Sequence, residues 1–176
     1  MNEEKRKLIR GTFCILQDTL GRYLMRYEPK GINANCWKFP GGSFEFLSQL
    51  GRIERGVECA IRETAEETGI IPINPFLKAI ITFDNHARIF PGKTEVADFD
   101  YEGHFYATRE YSGEFKEIGP APDSYRQGWF SYEALQSMPM HEGDRAILQR
   151  IHSSDFREQI EGVIVHEGSR LVLADF

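Results

Sequence analysis

Apolar residues fall along this chain in short runs, separated by turn-forming residues, and the runs predict strands interrupted by three helices. Leu8 to Gln17 is β-branched and apolar enough for a strand; Asp18 to Gly21 reads as a turn and Arg22 to Tyr27 as the return strand. Pro29 to Ala34 is loop-like. Trp37 to Phe39 is a short extended piece that ends in a turn at Pro40-Gly41-Gly42. Arg55 to Thr68 then changes period. It reads as a helix closed by Gly69, with Pro72 soon after and Val57, Ile61, Thr64 and Thr68 on one packing side.

Phe76 to Phe83 predicts a buried strand, Asn85 to Ala97 a long loop around Pro91-Gly92, and Tyr101 to Thr108 a further strand. Tyr125 to Phe130 is extended, and Ser131 can cap a short helix through Ser137. Glu142 to Ile151 is helical, with Ala146, Ile147 and Ile151 on one side. Ile160 to Val165 and Arg170 to Leu173 form a hairpin about Glu167-Gly168-Ser169. Strands and helices without regular βαβ alternation place the chain in the α+β class. No repeat, low-complexity tract or linker divides it, so residues 1–176 are expected to form a single domain.

Composition narrows the function classes. At 176 residues the chain is long enough to bury a core, and 41% hydrophobic with 27% charged residues is ordinary for a globular protein. A net charge of −6 argues against binding long nucleic acid. It leaves room for a small phosphorylated substrate, because a bound metal can supply local positive charge. No apolar run is long enough to span a bilayer, and Met1 to Arg10 lacks the apolar core of a signal peptide, so no membrane association is expected. Cys14, Cys36 and Cys59 have no C-x-x-C spacing, which fits reduced thiols in a cytoplasmic protein. His86, His104, His141, His152 and His166 are scattered without ligand-like spacing.

The chemistry concentrates in Arg62-Glu63-Thr64-Ala65-Glu66-Glu67-Thr68-Gly69-Ile70. On a helix, positions i, i+3 and i+4 share a face, so Glu63, Glu66 and Glu67 project together. Their mutual repulsion costs about 0.2–0.5 kcal/mol per pair. A hard divalent cation, which takes carboxylate and phosphate oxygens as ligands, converts that repulsion to attraction. An acidic helix face that is merely solvated is the plainer reading of such a run by itself. Here Glu54 precedes the helix, and Trp37-Lys38-Phe39-Pro40-Gly41-Gly42 precedes that, with glycines that let backbone amides come close to a phosphate.

Together these residues resemble the Nudix box, G-x5-E-x7-R-E-U-x-E-E-x-G-U, where U is a bulky aliphatic residue. Glu54 is followed by seven residues and then by Arg62 to Ile70. Two positions depart from the pattern. Thr64 stands where a bulky aliphatic is usual, and Gly42 lies twelve residues before Glu54 rather than six. Glu45 still fits the G-G-x-x-E opening, so residues 43–53 are read as carrying a loop insertion. Its apolar Phe46, Leu47 and Leu50 suit a short turn, a flap beside the site or a plain surface loop.

The resemblance implies an α/β/α sandwich around a mixed sheet, within the α+β class. It implies hydrolysis of a phosphoanhydride with Mg2+ or Mn2+ bound by Glu63, Glu66 and Glu67, Glu54 as a lesser ligand, and Arg62 orienting a glutamate. A glutamate of the box, or a later carboxylate for which Glu117 is the candidate, would deprotonate the attacking water. Gly41, Gly42 and Lys38 fall where substrate would bind.

Beyond the box the chain resembles the MutT-type branch, through Thr12-Phe13-Cys14, Ala79-Ile80-Ile81-Thr82-Phe83, Gly128-Trp129-Phe130 and Met138 to Asp144. That likeness implies a nucleotide substrate, a purine nucleoside triphosphate, oxidised or not, cut to the monophosphate and pyrophosphate. Asp144 falls where such enzymes hold an acidic base-recognising group; a helix N-terminal acid is the alternative. Lys38 stands where animal relatives place an asparagine, and a lysine donates but cannot accept. Trp37 and Phe39 either stack on a base or belong to the core. ADP-ribose, a nucleotide sugar or a dinucleoside polyphosphate would use the same chemistry. A non-catalytic ligand sensor of the same fold is disfavoured by the three intact glutamates.

Overall fold

The computed structural model describes residues 6–30, 34–89, 94–95, 97–116, 125–168 and 170–176. Its strands, in chain order, are β1 (Lys7–Leu16), β2 (Tyr23–Glu28), β3 (Cys36–Lys38), β4 (Gly41–Ser43), β5 (Phe46–Leu47) and β6 (Arg52–Ile53), followed by helix α1 (Gly56–Thr68). Then come β7 (Ile70–Ile73), β8 (Phe76–Arg88), β9 (Phe99–Thr108), β10 (Glu110–Gly113) and β11 (Arg126–Phe130). Helices α2 (Tyr132–Ser137) and α3 (Glu142–Ser153) and strands β12 (Ile160–Gly168) and β13 (Arg170–Asp175) complete the order. Among the described residues no helix is long and apolar enough to cross a membrane.

The central sheet runs β13-β12-β8-β9-β1-β4 and is mixed: β1 lies parallel to β9 and β12 parallel to β8, while the other neighbours are antiparallel. Helices cover it on both sides, giving an α/β/α sandwich of the α+β class. Strand β1 shows the layering directly. Ile15 joins the core that Leu135, Ile147, Leu148 and Ile151 of α2 and α3 share with Ile81, Phe105 and Ile164. Cys14 and Leu16, on the opposite face, pack with Leu24 and Ile70. A strand buried on both faces needs apolar residues in succession, which is why Phe13 to Leu16 are apolar without a break.

Several elements differ from the sequence-based expectation, each because pairing outweighs local composition. Strand β8 extends to Arg88, through residues expected to be loop, because β12 pairs alongside it as far as Gly168. The polar Asn85 is accommodated there because its side-chain oxygen accepts from Arg88 Nη1 at 3.3 Å, while its backbone N–H donates to Asp100 Oδ1 at 3.0 Å. The expected turn at Pro91-Gly92 lies outside the described residues. Ile70–Ile73 and Glu110–Gly113, not read as strands from the sequence, pair antiparallel as a two-stranded ribbon, with Pro72 opposite Tyr111. Gly41-Gly42 forms no turn: it is the edge strand β4, antiparallel to Gly11–Phe13 of β1.

The segment between β4 and α1 is a hairpin in which Phe46 pairs with Ile53 and Leu47 with Arg52. Its ends are tied by reciprocal bonds: the Glu54 N–H donates to the Glu45 carbonyl at 2.9 Å, and the Glu45 N–H to Glu54 Oε2 at 2.8 Å. The additional residues therefore leave and return at one place, and Glu54 stays beside Ser43. Phe46, Leu50 and Ile53 face solvent.

Strand β8 also carries a buried cation. Its register against β9 shifts between Leu77 and Ala79, and the extra residue in that bulge is Lys78, fully buried at 0% exposure. Lys78 Nζ donates to Ser154 Oγ at 2.8 Å, the Asp155 carbonyl at 2.6 Å and the Glu158 carbonyl at 2.7 Å. It thereby fastens the connection between α3 and β12 to the central sheet. Lys78→Met would leave those acceptors without their charged donor and is expected to cost about 1.5–3 kcal/mol of stability. Urea denaturation measures it, and a midpoint equal to wild type would show that the staple contributes nothing.

Candidate functional site

Helix α1 is built to stand next to β1 and β4. Its buried stripe is Cys59, Ala60, Thr64 and Thr68. Val57 and Ile61, expected in that stripe, are only half-buried. The threonines are tolerated because each hydroxyl donates to the carbonyl four residues back, Thr64 to Ala60 and Thr68 to Thr64, both at 2.7 Å. Thr64 thus fits a tight interface without a bulky side chain. At the N-terminus the Arg55 N–H donates to Glu58, whose two oxygens are gripped by Arg52 at 2.8 Å each. At the C-terminus Gly69 takes the left-handed conformation, φ 82°, and its N–H donates to the Ala65 carbonyl.

The glutamates of this helix do not form one solvated face. Glu66 is open to solvent, with a side chain 61% exposed, whereas those of Glu63 and Glu67 are 18% and 14% exposed. Arg62 holds the first group together. Its Nη1 lies 3.0 Å from both Glu63 Oε1 and Glu66 Oε2, and its Nη2 lies 2.6 Å from Glu54 Oε2 and 3.1 Å from the Ser43 carbonyl. Glu45 approaches the same guanidinium at 3.6 Å. Burial pushes the Glu54 carboxyl up, but the bonds from Arg62 and the Glu45 amide outweigh it and hold this group below the usual carboxylate range.

Glu67 turns inward instead, contrary to the expectation that it faces away from packing. It accepts from the Gly41 N–H at 3.0 Å and pairs with Arg26, whose Nη1 also reaches Glu28 Oε2 at 3.1 Å. Lys38 Nζ meets the same Glu28 oxygen at 3.4 Å. Burial raises the Glu67 carboxyl, opposed by Lys38, Arg26 and the Gly41 amide. Arg26 and Glu28 carry no motif signal, and only the pairing of β2 with β3 brings them here.

Among the described residues no three His, Cys, Asp or Glu side chains converge as a ready cation shell. Yet the donor set suits a hard divalent cation: every candidate ligand is a carboxylate oxygen, and a guanidinium already sits among Glu54, Glu63 and Glu66. Glu117 lies outside the described residues.

A cavity of about 270 Å³ opens on the other side of β4. Lys38 and Gly41 to Ser43 form the end nearest α1. Phe13, Phe83 and Tyr101 give it apolar walls, and Asn85, Arg88, His141, Asp144 and His166 give it polar ones. Asp144 is in the first turn of α3 and faces this space; burial pushes its carboxyl up, with His141, Arg88 and Lys38 opposing. Neither Trp37 nor Phe39 lines the cavity. Phe39 is core, at 1% exposure, and Trp37 packs edge-on to Phe130. The rings that do line it come from β1, β8 and β9, where sequence alone signals only buried strand.

Residues 7–151 match the model of the NUDIX domain. The chain is 32% identical over 146 residues to the uncharacterized Nudix hydrolase YvcI of Bacillus subtilis (strain 168), covering 80% of this chain and 77% of that one. The crystal structure of the mutator MutT protein from Bacillus halodurans superposes with a TM-score of 0.71 at 26% identity, over 94% of this chain and 95% of that chain. The NUDIX domain of Shewanella oneidensis NrtR, solved with ADP ribose, shares the fold at 11% identity, with a TM-score of 0.62 over 86% and 91% of the two chains. Strands β12 and β13 lie beyond the stretch matched by the domain model.

Glycine at position 42 leaves room for one of these carboxylates. A Cβ there would stand 2.4 Å from Glu63 Oε1. The clash is with the end of a flexible side chain, so Gly42→Ala should displace the Glu63 carboxylate and leave the fold standing. The expected outcome is a kcat lowered by about 10-fold or more, the scale of a misplaced catalytic group, with an unchanged circular dichroism spectrum. Wild-type kcat would show that Glu63 is not needed where it lies.

Proposed function

Because this chain belongs to the Nudix family as a pyrophosphohydrolase, we propose that its substrate is a purine nucleoside triphosphate, oxidised or not, which it cuts to the monophosphate and pyrophosphate. One observation carries this reading: a single cavity runs from the Gly41–Ser43 strand beside the glutamates to Asp144 and Asn85, along a wall that carries Phe13, Phe83 and Tyr101. Its volume of about 270 Å³ is near the lower end of small-molecule sites, roughly 300 Å³ and upward. A flat base would lie against the contiguous rings of Phe13, Tyr101 and Phe83, with Asp144 and Asn85 at its edge. The phosphate chain then passes β4 toward α1.

Glu63, Glu66 and Glu67, with Glu54 in support, would hold Mg2+ or Mn2+, which neutralises phosphate charge and makes water a better nucleophile. The protein's own side chains do the rest. Arg62 keeps Glu54, Glu63 and Glu66 within reach of one another, and Arg26 with the Gly41 amide fixes Glu67. A glutamate of α1 takes the proton from water as its oxygen attacks phosphorus and the bond to the leaving group breaks. A rigid helix suits such a reaction, which needs mainly positioning and charge stabilisation.

Steady-state kinetics with 8-oxo-dGTP, dGTP, dATP, dCTP, ADP-ribose and a dinucleoside polyphosphate test the substrate. Purine triphosphates should give the highest kcat/KM, and EDTA should abolish turnover. Faster cleavage of ADP-ribose or of the dinucleotide would overturn the substrate assignment, and full activity in metal-free buffer would overturn the metal role.

Glu66→Gln and Glu67→Gln should each lower kcat by about 10²-fold or more. Glu67→Gln alone should also lose some stability, since its side chain is buried against Arg26. Near-normal turnover in both would remove these glutamates from the chemistry.

Asp144→Asn replaces a carboxyl, which only accepts when ionised, with an amide that both donates and accepts. A mismatched bond in a closed pocket costs about 1–3 kcal/mol, so the ranking of bases should change. A parallel change across all four bases would take Asp144 out of base recognition.

A further inference from the structure

Arg26 holds a carboxylate that a bound cation would need. It stands on the middle strand of the sheet β11-β2-β3, opposite Lys38 on one side and Gln127 on the other. One nitrogen, Nη1, carries both of its ion pairs, to Glu67 and to Glu28 Oε2. Its Nη2 donates to none of the described residues and is open to solvent, whereas Nε is buried and unpaired. The Tyr125 ring covers the guanidinium, with its centre 4.1 Å from Cζ. The stem is thus fixed by the strand and the ring, while the charged end still has a donor to give.

Four charges meet here and balance. Arg26 and Lys38 face Glu28 and Glu67, and the side chains are only 10%, 12%, 14% and 14% exposed in that order. Water therefore compensates little, and each charge depends on its neighbours. Glu67 cannot give its oxygens to a divalent cation and keep Arg26 neutralised as before. Once Glu67 turns to the cation, Arg26 and Lys38 are left against Glu28 alone, with one positive charge in excess. An unpaired charge in so dry a place is costly unless an anion replaces the lost partner. The anion that arrives with the cation is a phosphate, and a guanidinium suits its oxygens as well as those of a carboxylate. Gly41, whose N–H holds the other oxygen of Glu67, also lines the end of the cavity where the phosphates would lie, so the exchange needs only a short movement of the guanidinium.

We propose that Arg26 changes partner on loading: it holds Glu67 in the metal-free protein and passes to a phosphate of the substrate when Glu67 takes up the divalent cation. The proposal rests on the metal reading above. It gives Arg26 two successive roles, as an occupant that keeps the empty site neutral and as a phosphate-binding residue.

The test uses the full chain and two probes. Mn2+ alone is followed by electron paramagnetic resonance of the free ion, and inorganic pyrophosphate with excess Mg2+ by calorimetry. Arg26→Gln removes the charge that competes for Glu67, so the Kd for Mn2+ should fall by about threefold or more. The same variant should raise the Kd for pyrophosphate by about 10-fold, the scale of one lost charge-assisted hydrogen bond. The opposite signs separate this role from a structural one, which would weaken both. Arg26→Lys keeps the charge and should leave the Mn2+ Kd within about twofold of wild type while recovering part of the pyrophosphate affinity. Should Arg26→Gln fail to fold, the unaltered chain with 15N-labelled arginine carries the test. Its Arg26 Nε resonance, identified by its absence in Arg26→Lys, should move on addition of Mg2+ and again on addition of pyrophosphate.

Mn2+ binding that is unchanged or weaker in Arg26→Gln, wild-type affinity for pyrophosphate in that variant, or an Arg26 resonance that pyrophosphate leaves in place would overturn the exchange even though the protein binds metal. A wild-type protein that takes up no Mn2+ would refute the metal reading itself, and the exchange with it.

Discussion

Carboxylates 45, 54, 63 and 66 surround a single guanidinium, and without it their mutual repulsion would go uncompensated. Arg62 resolves the conflict by accepting neighbours from three directions: its own helix, the base of the β5–β6 hairpin, and the Ser43 carbonyl of β4. A planar fork with five donors can do this, whereas a lysine ammonium, a point charge on a flexible stem, cannot hold several planar carboxylates in fixed orientation. The placement of α1, the closure of the hairpin and the position of β4 all meet at that side chain.

Glu67 stands outside this arrangement and has its own. Its partners, the Gly41 amide and Arg26, belong to β4 and β2, so it links the helix to two different sheets. Through Glu28 the linkage continues to Lys38 at the mouth of the cavity. Acidic helix and cavity are thus connected by alternating charges. The low exposure of the chain's members means that each charge is stabilised chiefly by its neighbour rather than by water. The glycines of β4 sit between the two, and their lack of side chains lets Glu63 lie directly beneath the strand.

The cavity depends on parts of the chain far apart in sequence. Strands β1 and β9 supply Phe13 and Tyr101, β8 supplies Phe83, Asn85 and Arg88, α3 supplies Asp144, and the tail strand β12 supplies His166. Strand β12 can do so because it pairs parallel to β8, inside the main sheet. The buried Lys78 clamps the crossover that leads into it. Removing the tail would therefore open one wall of the cavity as well as an edge of the sheet.

The sequence by itself determined the acidic helix, its boundaries at Arg55 and Gly69, the candidate ligands it carries, the main strands and the α+β class. These follow from local rules: the spacing of residues three and four apart, and the turn chemistry of glycine. It also singled out Asp144 at the start of α3, though not what that carboxylate faces. Only the tertiary structure decided that Gly41-Gly42 is a strand, that β8 continues through Asn85 to Arg88, and that Glu67 turns inward while Glu66 stays in solvent. It alone brought Arg26 to Glu67 and placed His141 and His166 on one wall. The physical reason is range. Helical periodicity is written in neighbouring residues, whereas strand register and cavity walls depend on pairings between segments tens of residues apart, which no local pattern encodes.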